Sequence, residues 1–417
     1  MKQAIAVGFV LAVAYGASAC GPTAATPSIP APSATANPTP AAPSPASGAE
    51  AHETDRAAKL EFRGANFYEV PDPLPPGDRG TLIRLQSMRQ VLHPVYRVLY
   101  HSTSVDGTDV AVSGTVWVPS EAPPSDGYPI VAWGPGNNGS GDPCAYSRAG
   151  TPEEIDYNPL MFNFLRAGYV VAYTDYQGHG TRYPYLFAVP ESSTHSLLDA
   201  ARAARDLLGD VASNRVVVAG HSLGADAAAA SLQHGRTYAG ELDVRGALIV
   251  EGGADVAELI ANATAGVNAS GVVQGIAGWA SAYPELDPAD VLTARALRDV
   301  GSLESSCGTA QSFSGRPAKD IFAAHPRNVA AWNKRIEAST VKQVPFPAFF
   351  VVAETSASHV QQIRTVAQRL CRVSPAVRLE VYPGTDHDGV LQAALQDYIQ
   401  WIADRFAGVA AAGNCNG

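Results

Sequence analysis

The sequence predicts an α/β fold, with a mainly parallel sheet covered by helices on both faces. From about residue 67 onward, short β-branched runs alternate with stretches that have the apolar spacing of helices. One such run, Arg215–Ala219, leads directly into a Gly-His-Ser-Leu-Gly turn and then into an Ala-rich segment. Of the 417 residues, 46% are hydrophobic and 16% are charged, so the chain can fill a large core. Strand–helix alternation of this kind is typical of parallel sheets that are buried on both faces.

The first elements form an antiparallel hairpin in this prediction, because β-branched residues cluster on either side of a Val-Asp-Gly turn at 105–107. Further strands are predicted over 129–133, 169–173, 215–219, 247–250, 348–352 and 377–382. Helical spacing predicts helices over 197–208 and 225–231 and a closing helix over about 390–406.

The charge balance argues against nucleic acid and anionic lipid surfaces as electrostatic partners. The chain has 29 Lys and Arg residues against 39 Asp and Glu residues, for a formal net charge of −10. The sequence has no phosphate-binding Walker loop, no dinucleotide-binding glycine motif and no His-Glu-x-x-His zinc motif. We therefore expect no metal and no organic cofactor.

Residues 1–20 are typical of an export signal. Lys2 precedes an apolar run over 4–14, which is too short to span a bilayer, and small residues then lead to Cys20. The Cys favours a bacterial lipobox with a lipidated Cys20, whereas Ala-Ser-Ala at 17–19 also permits ordinary cleavage. Both interpretations place the mature protein outside the cytoplasm. Residues 21–58 are rich in Pro, Ala, Ser and Thr and are predicted to be a linker or stalk before a domain over 59–417.

The chemistry is predicted at Ser222. Its Gly-x-Ser-x-Gly motif follows a strand and opens a helix, which is the arrangement of a nucleophile elbow in α/β-hydrolases. A serine hydroxyl needs a base to take its proton. In this fold the histidine comes last in the chain, and His387 lies between the last predicted strand and the closing helix. His387 is therefore the predicted base.

With these features the sequence resembles the secretory lipases, α/β-hydrolases of fungi and actinobacteria. The resemblance covers most of residues 66–406. Besides the elbow and the His387 segment, it rests on the segments 66–68 with Pro71, 79–84, 96–100, 112–116 and 141–145.

The resemblance implies an acyl-ester hydrolase with a helical cap, inserted over about 253–340. It also implies disulfides Cys144–Cys307 and Cys371–Cys415, whereas the four cysteines alone would allow three pairings. It places one oxyanion-hole N–H on Leu223 and another in the Gly-rich loop at 134–139. Where related lipases often have His-Gly, this chain has Pro-Gly at 135–136, so the second donor would be the N–H of Asn137.

The acid that orients the histidine departs from the pattern of the family. The expected Asp falls at or next to Ser356, so we predict that Glu354 serves instead. Glu251, at the end of the preceding strand, is an alternative acid. The chain could also have no such acid, which would leave a Ser-His pair or an inactive enzyme.

The sequence thus predicts an exported lipase or carboxylesterase that acts through an acyl-enzyme on Ser222. Its expected partner is a small-molecule or lipid ester, and its expected membrane contact is limited to the N-terminal lipid anchor. The same residues could transfer an acyl group to another acceptor or cleave peptides. A catalytically silent binding protein with this fold is the alternative from a different functional class.

Overall fold

The computed structural model describes residues 55–88, 92–256, 269–301, 307, 313, 315–355 and 357–414, with the side chains of 357–359 excepted. The predicted export signal and nearly all of the predicted linker lie outside these residues. Ser356 and Cys415 also lie outside them.

A nine-stranded sheet organises the fold, with the strand order β1-β2-β3-β5-β4-β6-β7-β8-β9. The pairs β1–β2, β2–β3 and β3–β5 are antiparallel, and the five remaining pairs are parallel, which confirms the predicted mainly parallel sheet. The strands are β1 (Leu82–Ser87), β2 (Val95–Thr103), β3 (Asp109–Trp117), β4 (Tyr128–Gly134), β5 (Val170–Thr174), β6 (Ala212–His221), β7 (Asp243–Val250), β8 (Ala348–Ala353) and β9 (Val377–Tyr382).

Helices connect most of the parallel strands and close the chain. They are α1 (55–60), α2 (Asn158–Arg166), α3 (Pro190–Leu208), α4 (Leu223–Tyr238), α5 (Ala269–Ala282), α6 (Ala294–Val300), α7 (Ala318–Ile321), α8 (Val329–Ser339), α9 (Ala357–Cys371), α10 (Gly389–Ala393) and α11 (Leu395–Phe406). Among the residues described, no helix combines the length and the apolar character needed to cross a membrane.

The predicted strands are all present, with bounds shifted by a few residues, and β2 and β3 form the predicted hairpin. The prediction of one closing helix over about 390–406 is wrong, because α10 and α11 are separated at Ala394. The ψ angle of Ala394 is 4°, whereas a regular α-helix has a ψ of about −42°. Ala394 is fully buried and belongs to the apolar cluster that includes α11.

Two apolar cores lie on opposite faces of the sheet, because successive strand residues point to opposite sides. In β6, Val216 and Val218 pack with α3, α4 and α9 on one face. Val217 and Ala219 pack with α2 and α11 on the other face. The sheet is therefore covered on both faces, and ligand contacts are directed to the loops at the carboxyl ends of its parallel strands.

The chain between β7 and β8 contains helices α5 to α8, within the segment that was predicted as a cap. These helices contribute to a separate apolar cluster that includes Trp279 and Trp332. Leu186 and Val189, which precede α3, belong to the same cluster. The insertion thus has a small core of its own and packs on the segment that leads into α3.

Candidate active site

Ser222 lies in the turn between β6 and α4 with a φ of 55° and a ψ of −117°. Positive φ is uncommon for a residue with a Cβ and costs free energy. The turn is held because the N–H of Ser222 donates to the carbonyl of Val250 at 2.9 Å, and the Ser222 carbonyl accepts from the first turn of α4. The sharp turn places the half-buried Ser222 side chain at the carboxyl edge of the sheet.

The two glycines of the motif allow α4 to approach the end of β4 closely. A Cβ on Gly224 would lie 1.7 Å from the carbonyl oxygen of Gly134. A Cβ on Gly220 would lie 2.2 Å from the carbonyl oxygen of Gly224. Both distances are far below van der Waals contact, so neither position accepts a side chain without moving the backbone.

The N-terminus of α4 supplies the first predicted oxyanion donor. Leu223 is the first residue of this helix, so its N–H is one of the groups that have no partner within the helix. Such N–H groups, together with the helix dipole, favour negative charge beside the Ser222 hydroxyl. The N–H of Leu223 thus lies at a helix N-terminus directly after Ser222, and its role as an oxyanion donor stays a prediction.

The second predicted donor lies in the loop after β4, residues 135–139, which we call the oxyanion loop. The N–H of Gly136 donates to the Tyr157 hydroxyl at 3.0 Å, so it is already used. The Tyr146 hydroxyl donates to the carbonyl of Gly136 at 3.3 Å. Since that carbonyl and the N–H of Asn137 share one planar peptide group, this bond also orients the Asn137 N–H.

The oxyanion loop is attached to the insertion between β7 and β8. On α5, the buried Gln274 accepts a hydrogen bond from the Asn137 side chain at 2.8 Å and donates to Ser140 at 3.1 Å. Close by, the predicted disulfide Cys144–Cys307 is present, and Gly139 pairs with Cys307 in a β-bridge. Cys371 is also disulfide-bonded, and its predicted partner is outside the described residues. The position of Asn137 thus depends on the insertion.

His387 follows β9 at the same edge of the sheet, in a loop over 383–388. Its Nδ1 lies 2.8 Å from Oδ1 of Asp388. A carboxylate at Nδ1 favours the tautomer with hydrogen on Nδ1, which leaves a lone pair on Nε2 for a serine proton. Both side chains are accessible, with exposed fractions of 41% for His387 and 85% for Asp388. In the described part of the chain, the Ser222 hydroxyl forms no hydrogen bond with His387.

His221, the residue before the serine, contacts the backbone of the histidine loop. Its Nε2 donates to the carbonyl of His387 at 2.9 Å, and the two rings lie 4.4 Å apart. Its Nδ1 lies 3.0 Å from the Tyr157 hydroxyl. Burial, with a smaller contribution from His387, lowers the pKa of His221 to about 4, so this imidazole is neutral at pH 7.

The two glutamates considered as the acid have different surroundings. Glu354 is exposed, and its Oε2 accepts from the N–H of Gly384 at 2.9 Å, in the loop that carries His387. Glu251 is fully buried at the end of β7 with a φ of 55°, and its carboxylate accepts from the N–H of Ala353. Neither contact joins a glutamate to the imidazole of His387.

One group of side chains at this edge has the residue types of a metal site. His221, His387 and Asp388 place ligand atoms within 4.8 Å of one another. The carbonyl of His387 can only accept, however, so Nε2 of His221 carries a hydrogen and offers no lone pair. Its Nδ1 lone pair is directed to Tyr157, and the donor set therefore does not fit a metal ion as it stands.

The sequence predicts Ser222, Leu223 and His387 as site residues, and it does not single out four other residues that form contacts at this edge of the sheet. Asp388 is next to His387, and its adjacency was the available signal. His221 occupies the variable position of the elbow motif, and nothing in the motif assigns it a role. Tyr157 and Gln274 reach the site through folding alone, and the sequence has no local signal for them.

Known proteins resemble this chain in sequence. A family model described as secretory lipase matches residues 154–414. A secreted triacylglycerol lipase of Malassezia globosa is 28% identical over 262 residues, which cover 58% of this chain and 56% of that protein. The chain thus spans little more than half the length of that relative.

Solved structures share the fold. The closed state of Candida antarctica lipase A matches with a TM-score of 0.69 and 18% identity, over 84% of this chain and 88% of that chain. A rice cell wall degrading esterase, LipA of Xanthomonas oryzae, matches with a TM-score of 0.62 and 18% identity, over 80% of this chain and 99% of that chain. The family match covers more than half of the chain, and this protein belongs to the secretory lipase family.

Proposed function

We propose that the protein is an exported serine ester hydrolase that acts on carboxylic esters, including lipid esters. The observation that carries the proposal is Ser222, which is held at positive φ on a strand–turn–helix elbow beside a helix N-terminus. His387 lies at the same edge of the sheet and has a carboxylate at Nδ1. The names of the relatives, a triacylglycerol lipase and a cell wall degrading esterase, support this class of substrate.

In the proposed reaction, Oγ of Ser222 attacks the ester carbonyl while Nε2 of His387 accepts the hydroxyl proton of Ser222. The carbonyl oxygen becomes negative in the tetrahedral intermediate, where the N–H groups of Leu223 and Asn137 stabilise it. The imidazolium then protonates the leaving alcohol. A water molecule, activated by the same imidazole, hydrolyses the acyl-enzyme and regenerates Ser222.

For the orienting carboxylate we propose Asp388, because it forms the hydrogen bond at Nδ1 of His387. The sequence-based candidate Glu354 stays a prediction, and its bond to Gly384 supports a role in holding the histidine loop. Glu251 is the third candidate, since it is buried at the neighbouring strand end. The three carboxylates differ enough in exposure to be separated by mutation.

Export is part of the proposal. Residues 1–20 have the pattern of a signal peptide, and the family description as secretory agrees with a location outside the cytoplasm. Within this scheme Cys20 is lipidated and residues 21–58 form a stalk that carries the catalytic domain. Mass spectrometry of the mature N-terminus tests the anchor, because ordinary cleavage would leave an unmodified Cys20.

The test of the activity is hydrolysis of p-nitrophenyl esters with short and long acyl chains. We expect turnover that is lost in Ser222→Ala, together with covalent labelling of Ser222 by a serine-directed phosphonate. The profile over chain length separates an esterase from a lipase. If the wild-type protein neither hydrolyses these esters nor reacts with the phosphonate, the proposal is wrong and a silent binding protein replaces it. Labelling without hydrolysis would instead favour acyl transfer or peptide cleavage.

A further inference from the structure

We propose that Tyr157 and His221 are positioning residues that hold the oxyanion loop and the His387 loop at a fixed separation. The inference rests on the proposed function and assigns a role to two side chains outside the reacting groups. Three hydrogen bonds carry it: Gly136 N–H to the Tyr157 hydroxyl at 3.0 Å, that hydroxyl to Nδ1 of His221 at 3.0 Å, and Nε2 of His221 to the carbonyl of His387 at 2.9 Å.

The chemistry of these groups permits one arrangement of protons for a neutral imidazole. A carbonyl oxygen can only accept, so Nε2 of His221 must be the protonated nitrogen. Nδ1 then holds a lone pair, and the Tyr157 hydroxyl must donate to it. The oxygen of Tyr157 in turn accepts from Gly136. Each group has its required partner, and the chain of bonds therefore has a defined direction from one loop to the other.

These three hydrogen bonds lie in a partly buried setting. His221 is only 1% exposed, and burial raises the pKa of Tyr157 to about 12. The ring of Tyr157 packs between Trp133, at 5.5 Å, and His221, at 5.6 Å. A Cβ on Gly136 would lie 2.6 Å from the Tyr157 hydroxyl, so the loop is in close contact with it. Hydrogen bonds in such a setting fix orientation more firmly than bonds at a solvated surface.

The two loops need a link of this kind because they begin at different strands, β4 and β9. One carries the predicted donor Asn137 and the other carries the base. A catalytic group must stay within about 0.5 Å of its productive position, whereas surface loops are more mobile than the strands they follow. His221 is joined to Ser222 by a peptide bond, so it ties both loops to the backbone of the nucleophile.

The alternative is that His221 and Tyr157 stabilise the fold and have no effect on catalysis. The two roles predict different effects of mutation on kcat, KM and Tm. Loss of a positioning contact lowers kcat with little change in KM, since the reacting groups are misplaced while the substrate pocket is intact. Loss of a purely structural contact lowers Tm and leaves kcat unchanged in the folded fraction.

Variants of Tyr157 and His221 can remove the hydrogen bonds between the two loops one at a time or together. Tyr157→Phe removes the hydroxyl and keeps the ring. His221→Gln keeps an N–H near the position of Nε2, whereas His221→Asn keeps an acceptor near the position of Nδ1. His221→Leu removes both. Tyr169→Phe is a matched control, because Tyr169 is a buried tyrosine that packs on Phe406 away from the site.

We expect Tyr157→Phe to lower kcat by about fivefold with KM unchanged within twofold, the size expected for one neutral hydrogen bond. His221→Leu should lower kcat by more, and the Gln and Asn variants should each recover part of that loss. Adding Tyr157→Phe to His221→Leu should cost nothing further, because the link is already broken. Tyr169→Phe should leave kcat unchanged.

Equal kcat in wild type, Tyr157→Phe and His221→Leu would overturn the inference, as would additive losses in the double variant. Failure of the proposed function is recognised separately, because the wild-type protein would then neither hydrolyse esters nor react with the phosphonate. In that case ¹⁵N-histidine NMR still decides: His221 should show a hydrogen on Nε2, and Tyr157→Phe should shift its Nδ1 signal. A hydrogen on Nδ1 of His221 would refute the link.

Discussion

The exposure of Asp388 predicts how much this proposed orienting carboxylate contributes to catalysis. In a buried Ser-His-Asp triad, replacing the acid by its amide lowers turnover by about 10⁴-fold. The Asp388 side chain is 85% exposed, so water screens its bond to His387. Exposed ion pairs contribute about 0.2–1 kcal/mol, which corresponds to a factor of about 1.4–5. We therefore expect Asp388→Asn to lower kcat by about two- to fivefold.

The measurement is kcat for p-nitrophenyl butyrate at saturating substrate, made in parallel on Asp388→Asn, Glu354→Gln and Glu251→Gln. Asp386→Asn is the matched control in the same loop, since Asp386 is exposed and its side chain accepts from the N–H of Gly389. We expect Glu354→Gln and Asp386→Asn to retain wild-type kcat within twofold. Glu251→Gln should do the same, because an amide oxygen can still accept from Ala353.

Each contrary result has a distinct meaning. A loss of about 10³-fold or more in Asp388→Asn would refute the screening argument and imply that this loop closes over the carboxylate during turnover. A loss of that size in Glu251→Gln would identify the buried glutamate as the acid. If Glu354→Gln alone lowered kcat, the original sequence-based prediction would replace Asp388.

Three further predictions concern the insertion and stability. Gln274→Leu should lower kcat by up to about tenfold, because the oxyanion loop loses its contact with α5. The expected loss is smaller than the roughly 10²–10³-fold fall in kcat that follows complete removal of an oxyanion donor. Ester kinetics in which Gln274→Leu and the exposed control Gln361→Leu both matched wild type would contradict this prediction. Replacing Cys144 and Cys307 by Ala removes a disulfide that joins residues 163 positions apart. Because the unfolded chain then gains conformational entropy, the free energy of unfolding should fall by about 5 kcal/mol and Tm by roughly 5–10 °C. An unchanged Tm in calorimetry would exclude this contribution. Burial lowers the pKa of His195 to about 4, so between pH 6.5 and 4 the unfolded chain binds a proton that the folded chain does not. As the pH falls from 6.5 to 4, His195 should therefore lower the free energy of unfolding by about 3 kcal/mol. Urea titrations of His195→Gln should show a flatter pH dependence of that free energy than the wild-type protein does.

The parts of the site that sequence could predict are those set by local geometry. Ser222 and Leu223 belong to a strand–turn–helix motif in which the glycines and the buried strand are contiguous in sequence. The order of His387 after the last strand follows from fold topology. Strand positions were predictable for the same reason, because β-branched runs mark buried strands wherever they lie in the chain.

The parts that sequence could not predict depend on contacts between distant segments. Gln274 meets Asn137 across 137 residues, and no periodicity points to that pair. The sequence predicts Glu354 as the acid from its place after β8, and this stays a prediction. The carboxylate that the structure bonds to His387 is that of the neighbouring residue, Asp388, which the sequence did not single out. Position in a loop does not fix which atoms a side chain reaches, and that was the missing information.

The strained backbone of Ser222 explains why several contacts converge on this residue and its neighbours. A serine at φ 55° persists only if its surroundings hold it there. The bond of Ser222 N–H to Val250 and the close approach of Gly224 to Gly134 supply part of this constraint. His221 adds to it, because its side chain is fixed at both nitrogens. The variable position of the Gly-x-Ser-x-Gly motif is therefore where this chain connects Ser222 to the oxyanion loop and to the loop that carries His387. Conversely, a substitution there should alter turnover even though His221 does not touch the reacting atoms.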